Sequence, residues 1–170
     1  MIIELANVVI RPKAIKLTLE PGEMELDVDG VELKSAVDLK GETEIVDDKV
    51  HVRGTITAET EIACIRCLVP VEYPLDITFD DIFVDPSDAP SDAELALEAE
   101  DLDVAVAIDG RIDLAEVIRE QILLALPDQL FCTADCKGLC PKCGSNRNLL
   151  DCKCIENEID PRWSALKDFR

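Results

Sequence analysis

Residues 50–59 read Val50-His51-Val52-Arg53-Gly54-Thr55-Ile56-Thr57-Ala58-Glu59. Val50, Val52, Gly54, Ile56 and Ala58 fall on one side of an extended chain. His51, Arg53, Thr55, Thr57 and Glu59 fall on the other. This period of two is the signature of a strand with one buried face. Similar alternation occurs over 2–10, 25–29, 31–46, 61–68 and 71–79, and the stretches are separated by Pro21-Gly22, Asp29-Gly30, Asp47-Asp48 and Pro70. Successive strands joined by tight turns predict an antiparallel sheet that curls on itself, as an open barrel or sandwich-like layer. His51, the one histidine, takes a solvent-facing strand position in this reading.

One helix follows the sheet. Asp113 with Glu116 three residues on is an N-terminal capping signal, and Leu114, Val117, Ile118, Ile122 and Ala125 form a helical stripe that Pro127 stops. The spacing predicts a helix over 113–126 packed on one sheet face, with its apolar stripe in the core. A short apolar strand, Val104 to Ile108, precedes it. A last short helix is expected with Asp160 as cap, Pro161 at its first position and Trp163, Leu166 and Phe169 packed inward.

The chain has 170 residues, 48% of them hydrophobic, and a net charge of -20. That is one ordinary domain, or one with a small appendage, with a folded core under an acidic surface. Such a surface repels phosphate and excludes a general role in coating nucleic acid. The longest apolar stretches, such as Ile122 to Pro127, are far shorter than the roughly 20 residues of a bilayer span. The opening Met1-Ile2-Ile3-Glu4 has no basic n-region, so a cytoplasmic location and no membrane partner are expected.

Charge is unevenly spread. From Cys67 through Gly110 there are thirteen acids and no Lys or Arg, and 85–92, with Pro86 and Pro90, reads as an acidic loop. From Cys132 onward seven basic residues stand against six acids, a net +1, which leaves -21 on the first 131 residues. The acidic run is a candidate docking surface for a basic partner. Any RNA contact is expected to be local, through Lys137, Lys142, Arg147 and Lys153.

Six of the eight cysteines lie in that tail, as Cys132-x3-Cys136-x3-Cys140-x2-Cys143-x8-Cys152-x-Cys154, and the other two form Cys64-x2-Cys67. In a reducing compartment such spacing suits a soft metal better than disulfides. A C-x2-C turn aims two thiolates at one ion while its backbone N–H groups stabilise the sulfur charge. Cys140-Pro141-Lys142-Cys143-Gly144 is the sharper half-site, since Pro stiffens the turn and Gly leaves it with positive φ. Its completing pair is either Cys152 and Cys154 or Cys64 and Cys67. One structural Zn2+ is the minimum; eight thiols allow a second, with Cys132 and Cys136 contributing. A redox dithiol would sit at a strand-to-helix junction, whereas Cys64 and Cys67 fall in or beside a β run. A zinc hydrolase needs an open coordination position and a base, and no histidine lies near the cysteines.

Several of these pieces together resemble one family: Cys64-Ile-Arg-Cys67-Leu68; Asp113-Leu114 with Glu120 and Leu124-Ala-Leu-Pro127; Cys136-Lys-Gly-Leu-Cys140-Pro-Lys-Cys143-Gly144 with Asn146 and Asn148; Cys152-x-Cys154; and Asp160-Pro161-Arg162. The chain resembles the YceD family over about 64–162. The resemblance implies a bacterial, non-enzymatic factor in synthesis or processing of the 23S rRNA precursor, with a basic ribosomal protein or pre-ribosomal particle as partner. The alternative from the cysteines alone is a cytosolic thiol-redox or zinc-handling protein. The expected architecture is α+β: a β-rich domain over 1–131 with its acidic loop and helix, and a zinc-held, Cys-rich tail over 132–170 packed on the same domain.

Overall fold

The computed structural model describes residues 1–87 and 104–154 together with Arg162. Most of the expected acidic loop, and the expected terminal helix with Trp163, Leu166 and Phe169, lie outside the described residues. The chain divides into two compact units, Met1–Ile62 with Glu72–Asp128, and Ala63–Val71 with Gln129–Arg170.

The first unit is α+β, a curled mixed sheet with one helix. Its strands are β1 (Ile2–Glu4), β2 (Lys13–Leu19), β3 (Val31–Leu33), β4 (Val37–Val46), β5 (Lys49–Ala63), β6 (Pro70–Val84), β7 (Val104–Val106) and β8 (Arg111–Asp113), followed by α1 (Leu114–Ala125). A six-stranded sheet runs β2-β4-β5-β6-β7, with β3 also on β5, and β1 pairs β8 separately. The neighbours are antiparallel in β2–β4, β4–β5 and β3–β5, while β7 runs parallel to β6.

Of the face expected to be buried over 50–59, Val50, Val52, Ile56 and Ala58 are buried and Gly54 is partly exposed. On the other face Arg53 pairs with Glu42 at 2.9 Å and with Glu44. Val46↔Lys49 closes the β4–β5 hairpin around Asp47 and Asp48, whose φ values of 49° and 61° give the two-residue turn whose twist matches that of the strands. Gly41 lies opposite Gly54, and a Cβ on Gly41 would stand 2.2 Å from the Arg53 carbonyl oxygen. Only glycine permits so close an approach of two strands, the kind of site at which a sheet bends.

β5 is one strand of 15 residues where the sequence suggested two runs. Between β3 and β4 its ladder is kept by a side chain, because Glu59 N–H donates to Ser35 Oγ at 2.9 Å. The alternation expected to continue from Ile2 to Ile10 stops at Glu4, where a 3-10 turn over Leu5–Asn7 begins. The stretch 25–29 is no strand: Asp27 takes φ 54°. There the Arg119 guanidinium of α1 donates to the Glu25 and Leu26 carbonyls at 3.1 and 3.3 Å, in place of a neighbouring strand. Met24 and Leu26 are still buried. Conversely β2, with Ile15, Leu17 and Leu19 on one face, is a strand outside the stretches expected from alternation.

α1 forms as its caps dictate. Asp113 accepts from Ala115 N at 3.0 Å, and Leu126 before Pro127 turns extended, as a residue preceding proline must. Leu114, Val117, Ile118 and Ile122 are buried and join Val37, Leu39, Val52 and Ile56 in the core. His51 on β5 is half-buried, with Nδ1 3.0 Å from Asp80 of β6, so its polar neighbour is a carboxylate as well as solvent. Among the described residues no helix is long and apolar enough to cross a membrane.

Candidate metal centres

The second unit is organised by sulfur. β5 ends at Ala63 and β6 begins at Pro70, so Cys64 and Cys67 occupy the turn between them. Cys64 N–H donates to the Val69 carbonyl and Leu68 N–H to the Cys64 carbonyl, both at 2.9 Å. The segment after Gln129 is tied to this turn by Ile65 N–H to the Leu130 carbonyl at 3.0 Å and Leu139 N–H to the Arg66 carbonyl at 2.9 Å. The Arg66 guanidinium donates to the Cys136 carbonyl at 3.0 Å and lies 4.5 Å over the Phe131 ring.

These ties bring Cys64, Cys67, Cys132 and Cys136 together, and a second group gathers Cys140, Cys143, Cys152 and Cys154. Within each group all four sulfurs lie within 4.8 Å of one another. Cys64 Sγ is 3.8 Å from Cys136 Sγ, and Cys67 Sγ is 3.5 Å from Cys132 Sγ. Four thiolates about 2.3 Å from one ion, at the corners of a tetrahedron, stand roughly 3.8 Å apart. A disulfide would need ~2.05 Å, and all eight cysteines are free. Of the two completing pairs open to Cys140 and Cys143, the fold supplies the local one, Cys152 and Cys154. Cys64 and Cys67 meet Cys132 and Cys136.

The electrostatics of the two groups are alike. Burial pushes the Cys64 thiol up, but the N–H groups of Cys132, Arg66 and Cys67 outweigh it and bring it down to about 6. The N–H of Val69 favours the Cys67 thiolate, yet burial and the neighbouring thiols push it up to about 12. In the second group the Ser145 hydroxyl and N–H bring Cys143 down to about 6, and the thiols of Cys143 and Cys140 push Cys154 up to about 12. Four like charges within 5 Å of one another cannot all form in the absence of a cation. A divalent ion removes the conflict, so the donor sets fit a soft metal. The first group is the drier one, with Cys64, Cys67 and Cys136 buried, whereas Cys143 is exposed.

Two residues outside the cysteine pattern do work at the sulfurs. Asn148 donates from Nδ2 to Cys136 Sγ at 3.3 Å, while its Oδ1 accepts from Lys137 N–H at 2.8 Å. Asn146 Oδ1 in turn accepts from Asn148 N–H at 2.9 Å. The amide on Cys136 holds that thiol below the usual thiol range. Ser145 Oγ lies 3.1 Å from Cys143 Sγ. Asn146 and Asn148 stood in the sequence without a role; asparagines just past a cysteine turn were the signal. Lys137 and Lys142 are exposed on the turns that follow Cys136 and Cys140, Arg147 lies between the asparagines and Lys153 between Cys152 and Cys154. His51 belongs to neither four-cysteine group.

The family described as "Large ribosomal RNA subunit accumulation protein YceD" matches residues 52–170. An uncharacterized protein of Mycobacterium tuberculosis is 29% identical over 180 residues, covering 99% of this chain and 81% of its own. The uncharacterized protein YlbN of Bacillus subtilis is 32% identical over 134 residues, covering 78% of this chain and 73% of its own. A chloroplastic protein of Zea mays, called a large ribosomal RNA subunit accumulation protein YCED homolog, is 24% identical over 172 residues, covering 88% of this chain and 58% of its own. No solved structure matches. With the family matched over well more than half of its length, through the Cys64–Cys67 turn and both four-cysteine groups, this chain belongs to the YceD family.

Proposed function

We propose that this chain supports the accumulation or processing of large-subunit ribosomal RNA by binding, not by catalysing a reaction, and that each four-cysteine group holds one structural zinc ion. The observation that carries the functional half is the family match, together with the printed names of the plant relatives. The zinc half is supported by the sulfur spacing, by the N–H groups aimed at Cys64, Cys140 and Cys143, and by the all-thiolate donor sets. Four sulfurs this close surround one ion and leave no room for a multi-iron cluster. Zinc would supply cohesion: a short irregular segment with few apolar residues of its own is held by metal, worth on the order of 10 kcal/mol in small zinc modules.

The partner in this reading is a basic ribosomal protein or a pre-ribosomal particle in the cytoplasm. The acidic run from 72 to 109 attracts cations within about 8–10 Å at physiological salt, and the four basic residues of the tail make a local contact with rRNA. Two measurements test it. Protein purified without chelator should hold two zinc ions per chain; well under one would refute the metal half, and an oxidisable, metal-free pair would favour the thiol-redox or zinc-handling reading. Deleting the gene should lower mature 23S rRNA or raise its precursor, and low-salt affinity purification should recover ribosomal protein or precursor RNA. Unchanged 23S species in the deletion strain would refute the functional half.

A further inference from the structure

Among the described residues, strand β2 is an outer strand of the six-stranded sheet and β1 is paired by β8 alone, so each has a backbone edge without a described strand beside it. Both line one cavity of about 690 Å3, which touches Ile2–Glu4 of β1 and Lys13–Lys16 of β2. Side chains alternate along a strand, so a cavity on a strand's face meets every second residue. Here it meets consecutive residues on both strands, so it touches their backbones as well as one face, and it extends past β2 to Thr43 of β4, the partner of Lys13.

The cavity is basic in an acidic protein. Lys13, Lys16 and Arg111 line it against one carboxylate, Glu4, which already accepts from Asn7 at 2.9 Å. Among the described residues none of these three cations is in an ion pair, although the chain has 37 acids for 17 bases. Lys16 also stands directly opposite Lys40 in the β2–β4 register, a like-charge pair flanked on its own face by Asp38, which accepts from Thr18, and Glu42, which pairs with Arg53. Ile3, Val8 and Ile15 give the same cavity an apolar part.

We propose that the cleft between β1 and β2 accepts an extended segment of a partner protein, with acidic side chains alternating with apolar ones, which adds to β2 as a strand. The four residues of β2 along the cleft span ~13 Å at about 3.3 Å per residue, enough for a segment of about four residues. The open backbone edges and the apolar part favour a peptide over a phosphate chain, and Lys16, on the β2 face opposite Ile15, favours an acidic row of side chains on that face while the apolar row meets Ile15. None of the lining residues belongs to a four-cysteine group or to the acidic run, so the proposal goes beyond the function proposed above.

Amide spectra of the full, metal-loaded chain labelled with nitrogen-15 test it, with a blocked six-residue peptide of alternating Glu and Val as probe. The expected result is that the amides of residues 13–16 shift and exchange more slowly as peptide is added. A peptide with Lys in place of Glu should have no such effect, and the Lys13→Glu/Lys16→Glu variant should bind the Glu peptide about tenfold more weakly or worse. Lys16→Glu faces Lys40, so this variant replaces a like-charge cross-strand pair with an opposite-charge one and is expected to fold. Equal response to both peptides, or no response at millimolar peptide, overturns the proposal. So does a response to a uridylate hexamer but not to peptide, which would mark a phosphate site. Protection of the same amides without peptide as the mass doubles with concentration would mark a second copy as the occupant, and overturns it too.

Discussion

Gly138 and Gly144 form a matched pair of perturbations. Gly138 lies two residues after Cys136 and Gly144 directly after Cys143, with φ +73° for Gly138 and +70° for Gly144. A Cβ on Gly144 would meet nothing within 4 Å, while one on Gly138 would lie 3.0 Å from the Arg66 carbonyl oxygen. That oxygen accepts from Leu139 N–H at 2.9 Å, one of the bonds that hold Cys136 near the Cys64–Cys67 turn. Gly144→Ala therefore bears only the left-handed backbone cost, about 1–2 kcal/mol, less about 0.4–1 kcal/mol from the stiffer unfolded chain. Gly138→Ala adds displacement of a hydrogen-bonded carbonyl, worth about 1 kcal/mol. Because a metal site and the fold of its loop form together, these costs appear as metal affinity. At 1.4 kcal/mol per tenfold, Gly144→Ala should weaken zinc at the second group about fivefold and Gly138→Ala should weaken it at the first group by about thirtyfold. Competition against a chromophoric chelator reads both, with a Cys143→Ser background to isolate the first group. Asparagine tolerates the left-handed region but has a Cβ, so Gly144→Asn should recover most of the loss and Gly138→Asn should not. Equal losses at the two glycines, or full recovery with Gly138→Asn, would refute the reasoning.

Chelation should abolish amide protection at Leu139, Cys140 and Gly144 while Leu39, Val52 and Ile118 stay protected in hydrogen exchange, since the last three have the apolar core of the first unit behind them. Asp81 is half-buried beside Gln121, and burial raises its pKa. A carboxyl raised in the folded state stabilises most below its unfolded pKa and loses that contribution as pH rises through the folded value. Asp81→Asn should thus flatten the decline just above the ordinary Asp range and gain under ~1 kcal/mol at neutral pH after solvent screening, read by urea denaturation. Asp113→Ala removes the acceptor for Ala115 N–H and should cost about 1 kcal/mol in the same assay.

What the sequence could show depended on how local its cause was. β5 was legible because its buried and exposed faces contrast sharply over successive residues, and α1 because its cap, stripe and terminating proline all lie within fifteen positions. The stretch 25–29 misled because its alternation is genuine, Met24 and Leu26 being buried, but its carbonyls are served by Arg119, more than ninety residues away. β2 is harder to read although it alternates as well as β5 does: its apolar face is only Ile15, Leu17 and Leu19 with Lys13 at its end, and its pairing with β4 settles its state.

The cysteines follow the same rule. Spacing announces a turn that presents two sulfurs but carries no information on which other turn it meets. Cys136 and Cys140 are four residues apart and belong to different groups, because the chain reverses at Gly138, whose backbone sends Cys136 toward Cys64 and Cys140 toward Cys152. The bond from Leu139 N–H to the Arg66 carbonyl fixes that reversal from the first group, and the bridge between Leu139 and Asn146 continues into the loop that carries Asn148 back to Cys136. The two groups are therefore joined by one short segment whose geometry each of them helps to set. A metal bound at either one should preorganise the other, which makes loading of the second ion tighter than that of the first.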